Sequence, residues 1–411
     1  YFGKLEKIKN LIAFDMGGTS TDVCAIIDNK PKLTADSILE GYPVMVPTLD
    51  VHSIGAGGGS IAFIDSVGSF NVGPLSAGAS PGPVCYSKGG TNPTVTDANC
   101  ILGRVAPSKY LPSNLKLNTK LAKKIIQEKI AKPLKLNNFK AAEGIIEICN
   151  LKMSNAVRSI TIEKGLDPSE FTLCAYGGAG PMHACWIAKQ LGIPKVVIPI
   201  APGQFSALGI LLGQVRHDLV RTISVNESYN AIEKIFYSMK IEAENLIKKE
   251  KVKINKLSFE YSVDARYKGQ EFTINISLND YKFTKKNIIY FINKFHKTYE
   301  QNYSHSSTQE RIEIINLRIV AIGNLSKISI PKIKKGIPKP NKNAMIMKTK
   351  MYLENKFVNC EVWDRSKLLA GNKIKGPTMI VDYGSTTIVP NNCLCKISNY
   401  GQILISIDKN K

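Results

Sequence analysis

With 411 residues, 44% of them hydrophobic and 21% charged, the chain reads as globular and long enough for two or three domains with cores of their own. Lys and Arg total 55 against 33 Asp and Glu, a formal charge of +22, which would ordinarily raise nucleic-acid or membrane binding. The distribution argues against it: the lysines concentrate in the second half beside many Ile and Asn residues, without an aromatic-interleaved basic motif, so no nucleic acid is expected and the excess reads as a solvated surface that would attract an acidic partner subunit.

The chain begins at Tyr1, which reads as a fragment or a processed chain, and its first residues lack the charged, apolar and small-residue order of a signal peptide. The most apolar stretch, Val196 to Val215, is interrupted by Pro199, Pro202, Gly203 and Gln204. It reads as buried core, and no membrane span is expected. Nine cysteines are scattered without a CxxC pair, several inside apolar runs, a pattern that suits reduced thiols and a cytoplasmic location.

In chain order, an apolar run from Leu11 to Phe14 leads into Asp15-Met16-Gly17-Gly18-Thr19-Ser20-Thr21-Asp22 and a second apolar run from Val23 to Ile27. This predicts a β-hairpin closed by a tight two-residue turn, Gly17 and Gly18 supplying positive φ. Without Cβ atoms there, a phosphate approaches the exposed backbone N–H groups closely, and the hydroxyls of Thr19, Ser20 and Thr21 add donors. Asp15, at the strand end, is placed to face a magnesium ion through water. The alternative is an ordinary hairpin whose Thr and Asp residues satisfy their own turn. No helix follows the glycines, so neither the Walker nor the Rossmann arrangement applies.

Residues 30 to 110 are rich in turn formers, including Gly55-Ala56-Gly57-Gly58-Gly59-Ser60, and read as loops packed over a site. The run Gly57 to Gly59 lets backbone approach a ligand or a helix more closely than side chains permit. Just before it, Asp50-Val51-His52 puts a carboxylate and an imidazole on one face of an extended segment. The pair would hold a metal or polarise a carbonyl, but two ligands are fewer than a metal site needs, and a loop-bracing histidine fits as well. One of the threonines, Thr94 or Thr96, or Asp97 is expected to cap a short helix. Helices are predicted over 117–132 and 138–165, with Gly165 as the stop. A strand at Phe171 to Tyr176, the loop Gly177-Gly178-Ala179-Gly180-Pro181 and a helix from Met182 to Leu191 follow, an order suited to contact with a flat base or a phosphate at a helix N-terminus. Its alternative is a plain strand-to-helix turn. A strand at Val196 to Ile200 and a buried helix at Ser206 to Leu212 come next.

From 224 the texture turns to Lys, Ile, Asn and Tyr with few glycines, predicting helix, two strands, helix and strand in a separate α+β domain over 224–330. A linker begins at Pro331 and leads to a β-rich tail, 331–411, with turns at Gly384-Ser385-Thr386-Thr387 and Tyr400-Gly401.

A hairpin of form D-x-G-G-T resembles the phosphate loop of the actin-like ATPase superfamily, and longer segments resemble one family within it, the hydantoinase A / 5-oxoprolinase family of ATP-dependent cyclic-amide hydrolases. They are residues 15–22, His52 to Ser60, Gly73 to Tyr86, Gly89 to Asn99, Gly177 to His183 and Arg216-His217-Asp218, with weaker similarity from Arg266 to Gln270 and on to Gly384 to Thr387. The resemblance implies an α/β fold with an actin-like ATPase (ribonuclease H-like) core over 1–223, followed by the small α+β domain and the β-rich C-terminal domain. It implies ATP and magnesium as cofactors. Gly17, Gly18, Thr19, Ser20 and Thr21 would lie at the phosphates, and Gly177, Gly178, Ala179 and Gly180 on the adenosine side. Asp15 would act catalytically through the metal, and Asp50 and His52 on the substrate side. The implied substrate is a small-molecule cyclic amide of hydantoin or 5-oxoproline type, and the implied partner is a hydantoinase B-type subunit in a hetero-oligomer. Family members carry an earlier lobe with its own D-x-G-G-T hairpin; no second copy stands upstream of Leu11, so half of the ATP site is expected to be missing from this chain. The alternative within enzymes is a subunit of an acetone- or acetophenone-type carboxylase, in which the same loops phosphorylate an enolate. A regulatory actin-like ATPase is a third reading, against which the long matched segment 53–93 speaks.

Overall fold

The two apolar runs form an antiparallel pair, β1 (Leu11–Met16) and β2 (Thr21–Ile27), in register from Leu11 opposite Ile26 to Met16 opposite Thr21. The computed structural model to which they belong describes residues 1–34, 37–39, 42–44, 48–111, 115–325 and 329–407. It divides into two units, one made of Tyr1–Leu208 with Ile330–Lys411, the other of Gly209–Ser329.

In the first unit, β3 (Val51–Ile54) joins β2 antiparallel. Helix α1 (Val95–Ile101) opens on a capping box in which Thr94 and Asp97 satisfy each other's backbone N–H groups. Helix α2 (Thr119–Ile126) runs on into a π-helical turn, Gln127–Ala131. Helix α3 (Asn138–Ile160) starts where the Asn137 side chain accepts from the N–H groups of Phe139 and Lys140. It stops before the expected position: Thr161 leaves helical geometry, a 3-10 turn covers Ile162–Lys164, and Gly165 closes it at φ +73°. Strand β4 (Thr172–Tyr176), helix α4 (Gly180–Gln190), strand β5 (Lys195–Ile198) and helix α5 (Phe205–Leu211) follow. β1, β4 and β5 are parallel neighbours, so the order β3-β2-β1-β4-β5 is that of a ribonuclease H-like sheet, as the actin-like reading requires. Ile12, Phe14 and Met16 of β1 are fully buried together with Ala142, Ile145, Cys149 and Met153 of α3. Helix α5 departs from expectation. None of its residues is buried: Phe205 is half-covered, its ring 4.8 Å from Tyr176 and 5.0 Å from Phe2, whereas Ile210 and Leu211 are exposed.

The second unit is a four-stranded antiparallel sheet with two helices. Its elements are β6 (Val215–Thr222), α6 (Tyr229–Lys249), β7 (Lys256–Tyr267), β8 (Ile274–Leu278), α7 (Lys285–Tyr303) and β9 (Ile312–Asn324), in sheet order β6-β9-β7-β8. Phe236, Tyr267, Phe291, Phe295 and Leu317 form its core. The boundary lies earlier than 223: β6 pairs with β9 over its whole length and so joins this unit. The segment Arg216-His217-Asp218 lies on β6, Arg216 gripping Asp218 with two hydrogen bonds of 2.7 and 2.8 Å and His217 meeting Glu250 at 2.7 Å.

The tail does not stand apart. After β10 (Met345–Leu353) and β11 (Lys356–Asp364) come β12 (Lys373–Lys375), β13 (Thr378–Asp382), β14 (Ser385–Val389), β15 (Cys393–Ile397) and β16 (Ile403–Ile407). β10, β11, β13 and β14 form a small sheet, while β12, β15 and β16 extend the main one beyond β5. The reason is the free edge of β5, whose backbone groups β16 pairs from Lys195 opposite Ser406 to Ile198 opposite Ile403. Buried Arg365 fastens the junction, its Nη2 donating to the carbonyls of Ile198 at 3.1 Å and Gly401 at 2.9 Å. None of the nine cysteines is in a disulfide, and eight of them are buried; no helix among the described residues is long and apolar enough to cross a membrane.

His183 of α4 is fully buried and joins three helices: its Nε2 lies 3.3 Å from Asn99 Nδ2 on α1 and its Nδ1 2.7 Å from Asn150 Oδ1 on α3. Burial, reinforced by Arg104, lowers its pKa to about 3. The ring is therefore neutral, donating from Nδ1 and accepting at Nε2. In the unfolded chain it titrates near 6.5. Above that pH neither state takes up a proton; as pH falls toward 3 only the unfolded state does, so stability is lost at about 1.4 kcal/mol per pH unit. Urea unfolding across this range should show a shallower acid slope for His183→Gln than for wild type, and equal slopes would refute the neutral buried state.

Candidate functional site

Four residues, Gly17 to Ser20, connect β1 and β2, and the Gly17 N–H closes the loop on the Ser20 carbonyl at 3.1 Å. The two-residue turn expected from the glycine pair is not formed, and neither Gly17 nor Gly18 has a positive φ. Close approach is what the glycines permit here. The Gly58 N–H donates to Gly17 O at 3.0 Å and the Gly59 N–H to Gly18 O at 2.6 Å. A Cβ on Gly57 would lie 2.7 Å from the Gly18 carbonyl carbon and 2.8 Å from the Thr19 nitrogen. The run Gly57 to Gly59 thus packs on the hairpin loop itself, in place of the ligand or helix expected there. Thr21 is buried and donates its hydroxyl to Ala56 O at 2.5 Å, so it braces the two loops and is withdrawn from the phosphate donors.

With the loop carbonyls tied, the N–H groups of Gly18 and Thr19 have no acceptor among the described residues, nor do the Thr19 and Ser20 hydroxyls have a partner there. Gly18 and Thr19 are exposed. No atom lies within 4 Å of where a Gly18 Cβ would stand.

The four-residue loop also sets Asp15 directly opposite Asp22, and opposite residues of an antiparallel pair share a face. Ser206 Oγ donates to Asp15 Oδ2 at 2.7 Å, and the Ser53 hydroxyl donates to Asp22 Oδ1. Burial pushes the Asp15 carboxyl above its usual range; the Ser206 hydrogen bond pulls it back, and the Asp22 charge pushes it up again. A cation between the two carboxylates would relieve that repulsion. Among the described residues no group of three His, Cys, Asp or Glu side chains could hold a metal; two carboxylates by themselves are a donor set compatible with magnesium, which takes one or two carboxylates and completes its shell with water and phosphate oxygens.

The second glycine loop leaves the same sheet end. β1 and β4 are parallel with Asp15 opposite Tyr176, so Gly17 and Gly177 follow at the C-terminal ends of neighbouring strands, where open α/β sheets bind ligands. Gly177 sits at φ +80°, its N–H on Pro202 O at 2.9 Å, and a Cβ there would collide with Met16 O and Asp15 Oδ1. The Ala179 N–H donates to Met16 O at 3.0 Å. Ala179 and Gly180 are buried, Gly180 against the Phe14 ring, so of the four residues expected on the adenosine side only Gly178 is exposed. The tail turn at Gly384 closes over this loop, Ser385 Oγ donating to Gly177 O at 3.4 Å.

The model of the hydantoinase/oxoprolinase family matches residues 1–219, and that of the hydantoinase/oxoprolinase C-terminal domain matches residues 222–403. The chain belongs to the hydantoinase/oxoprolinase family. It is 32% identical over 395 residues to caprolactamase subunit alpha of Pseudomonas jessenii, covering 93% of this chain and 56% of that protein. It is 31% identical over 431 residues to the acetophenone carboxylase gamma subunit of Aromatoleum aromaticum, covering 99% and 58%. The crystal structure of the ATP-dependent caprolactamase from Pseudomonas jessenii matches with a TM-score of 0.81 at 29% identity, over 98% of this chain and 60% of that one. The chain thus spans between 56% and 60% of the length of these relatives.

Within this hydantoinase/oxoprolinase fold, Asp50 and His52 are not brought to the carboxylate pair. Val51 pairs with Cys24, which places Asp50 further down β2 from the loop, and its carboxylate is held by Lys164 Nζ at 2.5 Å. His52 is exposed and lines a cavity of about 300 Å³ with Ile54, Ala56, Pro74 and Asn155. Sequence reasoning missed Asp22 and Ser206 as site residues. Counting a four-residue loop would have found Asp22; Ser206 is 191 positions from its partner and carries no local signal.

The two glycine types predict opposite outcomes. Gly57→Ala forces a Cβ onto hairpin backbone and should cost about 1–3 kcal/mol, whereas Gly18→Ala enters open space and should stay within about 0.5 kcal/mol of wild type. Urea unfolding of both variants checks this, and equal costs would contradict the packing of the two loops.

Proposed function

We propose that this chain is the ATP-binding, phosphorylating part of an ATP-dependent hydrolase of cyclic amides of hydantoin or 5-oxoproline type, acting with a hydantoinase B-type subunit in a cytoplasmic hetero-oligomer. The observation that carries the reading is the hairpin tip, where two exposed N–H groups, two hydroxyls and two carboxylates meet at one sheet end in a chain related to a caprolactamase subunit. Nine thiols outside any disulfide support a reducing compartment.

Amide resonance makes a lactam carbonyl a poor electrophile, and phosphorylation of its oxygen removes that protection. In the proposed reaction the amide oxygen attacks the γ-phosphorus of ATP and ADP departs. Water then adds to the activated carbon, the ring C–N bond breaks with the nitrogen taking a proton, and a second water releases phosphate from the acyl phosphate. The N–H groups of Gly18 and Thr19 would hold phosphate oxygens as charge moves onto them. Asp15 and Asp22 would hold magnesium, which neutralises charge on the transferring group. Gly178 would present its bare backbone to the nucleotide. The cavity beside His52 abuts Ala56, whose carbonyl anchors Thr21 beneath the hairpin; this supports a substrate-side role for His52, with Asp50 bracing through Lys164.

A second reading, phosphorylation of a ketone enolate in a carboxylase, is favoured by the 31% identity to the acetophenone carboxylase subunit. ATP turnover by the complete enzyme separates the two: stimulation by hydantoin, 5-oxoproline or caprolactam supports the hydrolase, and stimulation only by a ketone with bicarbonate supports the carboxylase.

Steady-state kinetics of the complete enzyme should show Asp15→Asn lowering kcat by about a hundredfold and shifting the magnesium dependence. Gly178→Val should weaken nucleotide binding while leaving the unfolding midpoint near wild type, because the nearest atom to its Cβ position, Gly384 O, is an ordinary 3.5 Å away. Full turnover in Asp15→Asn would overturn the assignment of the metal-side carboxylate.

A further inference from the structure

A second cavity, of about 330 Å³, opens between α3, α4 and the C-terminal strands. Arg104 and Asn150 line it and are 3% and 7% exposed. Arg104 donates through Nε and Nη2 to the Tyr352 carbonyl at 3.2 and 2.9 Å, lies 3.6 Å from Glu143, and stands 5.1 Å from the centre of the Trp186 ring. Its Nη1 has no partner among the described residues. The Asn150 Oδ1 is taken by His183, and its Nδ2 has no acceptor among the described residues. Both side chains are largely buried, yet neither donor atom is cut off from solvent, so each is open to an acceptor that enters the cavity they line. Water would serve, but a carboxylate meets a guanidinium and an amide with charge as well as geometry.

Besides Arg104, the charged residues that line the cavity are Glu143, Glu147, Lys189 and Glu354. Glu147 and Lys189 form no ion pair with any described residue. Burial and the neighbouring Glu143 push the Glu147 carboxyl above its usual range while Arg104 pulls it back; a further cation beside it would be favoured. Trp186 supplies an apolar wall between these polar ends.

We propose that this cavity binds a zwitterionic amino acid, its carboxylate on Arg104 Nη1 and Asn150 Nδ2, its ammonium at Glu147 and its methylenes along Trp186. Opening a cyclic amide releases one carboxylate and one amine on a single chain, so the ligand belongs to the product class. That last step rests on the cyclic-amide reading, whereas the arrangement of donors and acceptor does not. Trp186 lies about 9 Å along α4 from Gly180, on the helix that begins at the glycine loop of the proposed nucleotide site, so occupancy offers a route for product to act on that loop.

Isothermal titration calorimetry of the full-length enzyme without nucleotide tests this, with 6-aminohexanoate and L-glutamate as probes and hexanoate, hexylamine and caprolactam as controls. The expected result is saturable binding of at least one amino acid, about tenfold weaker binding of each control, and about a tenfold loss of amino-acid affinity in Glu147→Gln, which sits at an exposed position and should fold normally. Absence of binding by both probes, equal binding of hexanoate or caprolactam, or unchanged affinity in Glu147→Gln would each overturn the proposal. No turnover enters the measurement, so its failure leaves the phosphorylation reading standing, and loss of turnover in Asp15→Asn leaves this one standing.

Discussion

Two backbone hydrogen bonds, Gly58 N–H to Gly17 O and Gly59 N–H to Gly18 O, decide what the hairpin presents. A peptide unit is planar and trans, so its N–H points opposite to its C=O. The Gly17 carbonyl shares a peptide with the Gly18 N–H, and the Gly18 carbonyl shares one with the Thr19 N–H. Holding both carbonyls inward therefore turns both N–H groups outward. No side chain is needed for that, but a residue without a Cβ is needed at Gly57, where a Cβ would lie 2.7 Å from hairpin backbone, while a Cβ at Gly58 would meet Thr96 Oγ1 at 2.8 Å and one at Gly59 would meet Ser76 Oγ at 2.9 Å and Gly18 O at 3.0 Å. The entropy given up in ordering those glycines is what fixes the donors in place.

The rest of the first unit extends this arrangement from the hairpin to a sheet end. Parallel pairing of β1 with β4 delivers Gly177 beside Asp15. That approach is so close that a side chain at 177 would collide with the Asp15 carboxylate. β16 then covers the open edge beyond β5, and Arg365 ties the tail's carbonyl at Gly401 to that of Ile198. The tail's turn at Gly384 reaches the second glycine loop as a result. The C-terminal strands are thus part of what positions the site, although their sequence suggests a separate domain.

What could be read from the sequence follows physical range. Apolar runs such as Leu11 to Phe14 and the stripe on α3 announce buried strands and helices because burial and periodicity are local. The length of the hairpin loop was not readable, since Thr19 and Ser20 suit a strand end as well as a loop. That ambiguity of two residues moved Asp15 from facing Ser20 to facing Asp22, which is why half of the carboxylate pair went unseen. Thr21 looked like a phosphate donor because its type fits, yet its hydroxyl points into the loop clamp at Ala56. Asp50 looked free because its partner, Lys164, lies 114 positions away. Helix α5 looked buried because apolar composition alone does not say whether another element covers it.

The charge of the chain and the charge of the site are separate matters. The protein carries a formal +22, yet neither hairpin residues 15–22, clamp residues 55–60 nor loop residues 177–180 contain a Lys or Arg. P-loop sites place a lysine on the phosphates; here the fixed positive ends are backbone N–H dipoles, and the nearest full charges are the two carboxylates. Such a site repels a polyanion until a divalent cation stands between, because at about 4 Å two unit charges repel by about 4 kcal/mol at the effective dielectric of a protein surface. On the proposed reading the nucleotide would enter together with its cation, and the affinity for nucleotide alone would be low for the same reason. On the proposed reading the surface lysines would bear on encounter, where a long-range field raises the local concentration of an anion, and would leave discrimination at the hairpin to geometry and to the cation.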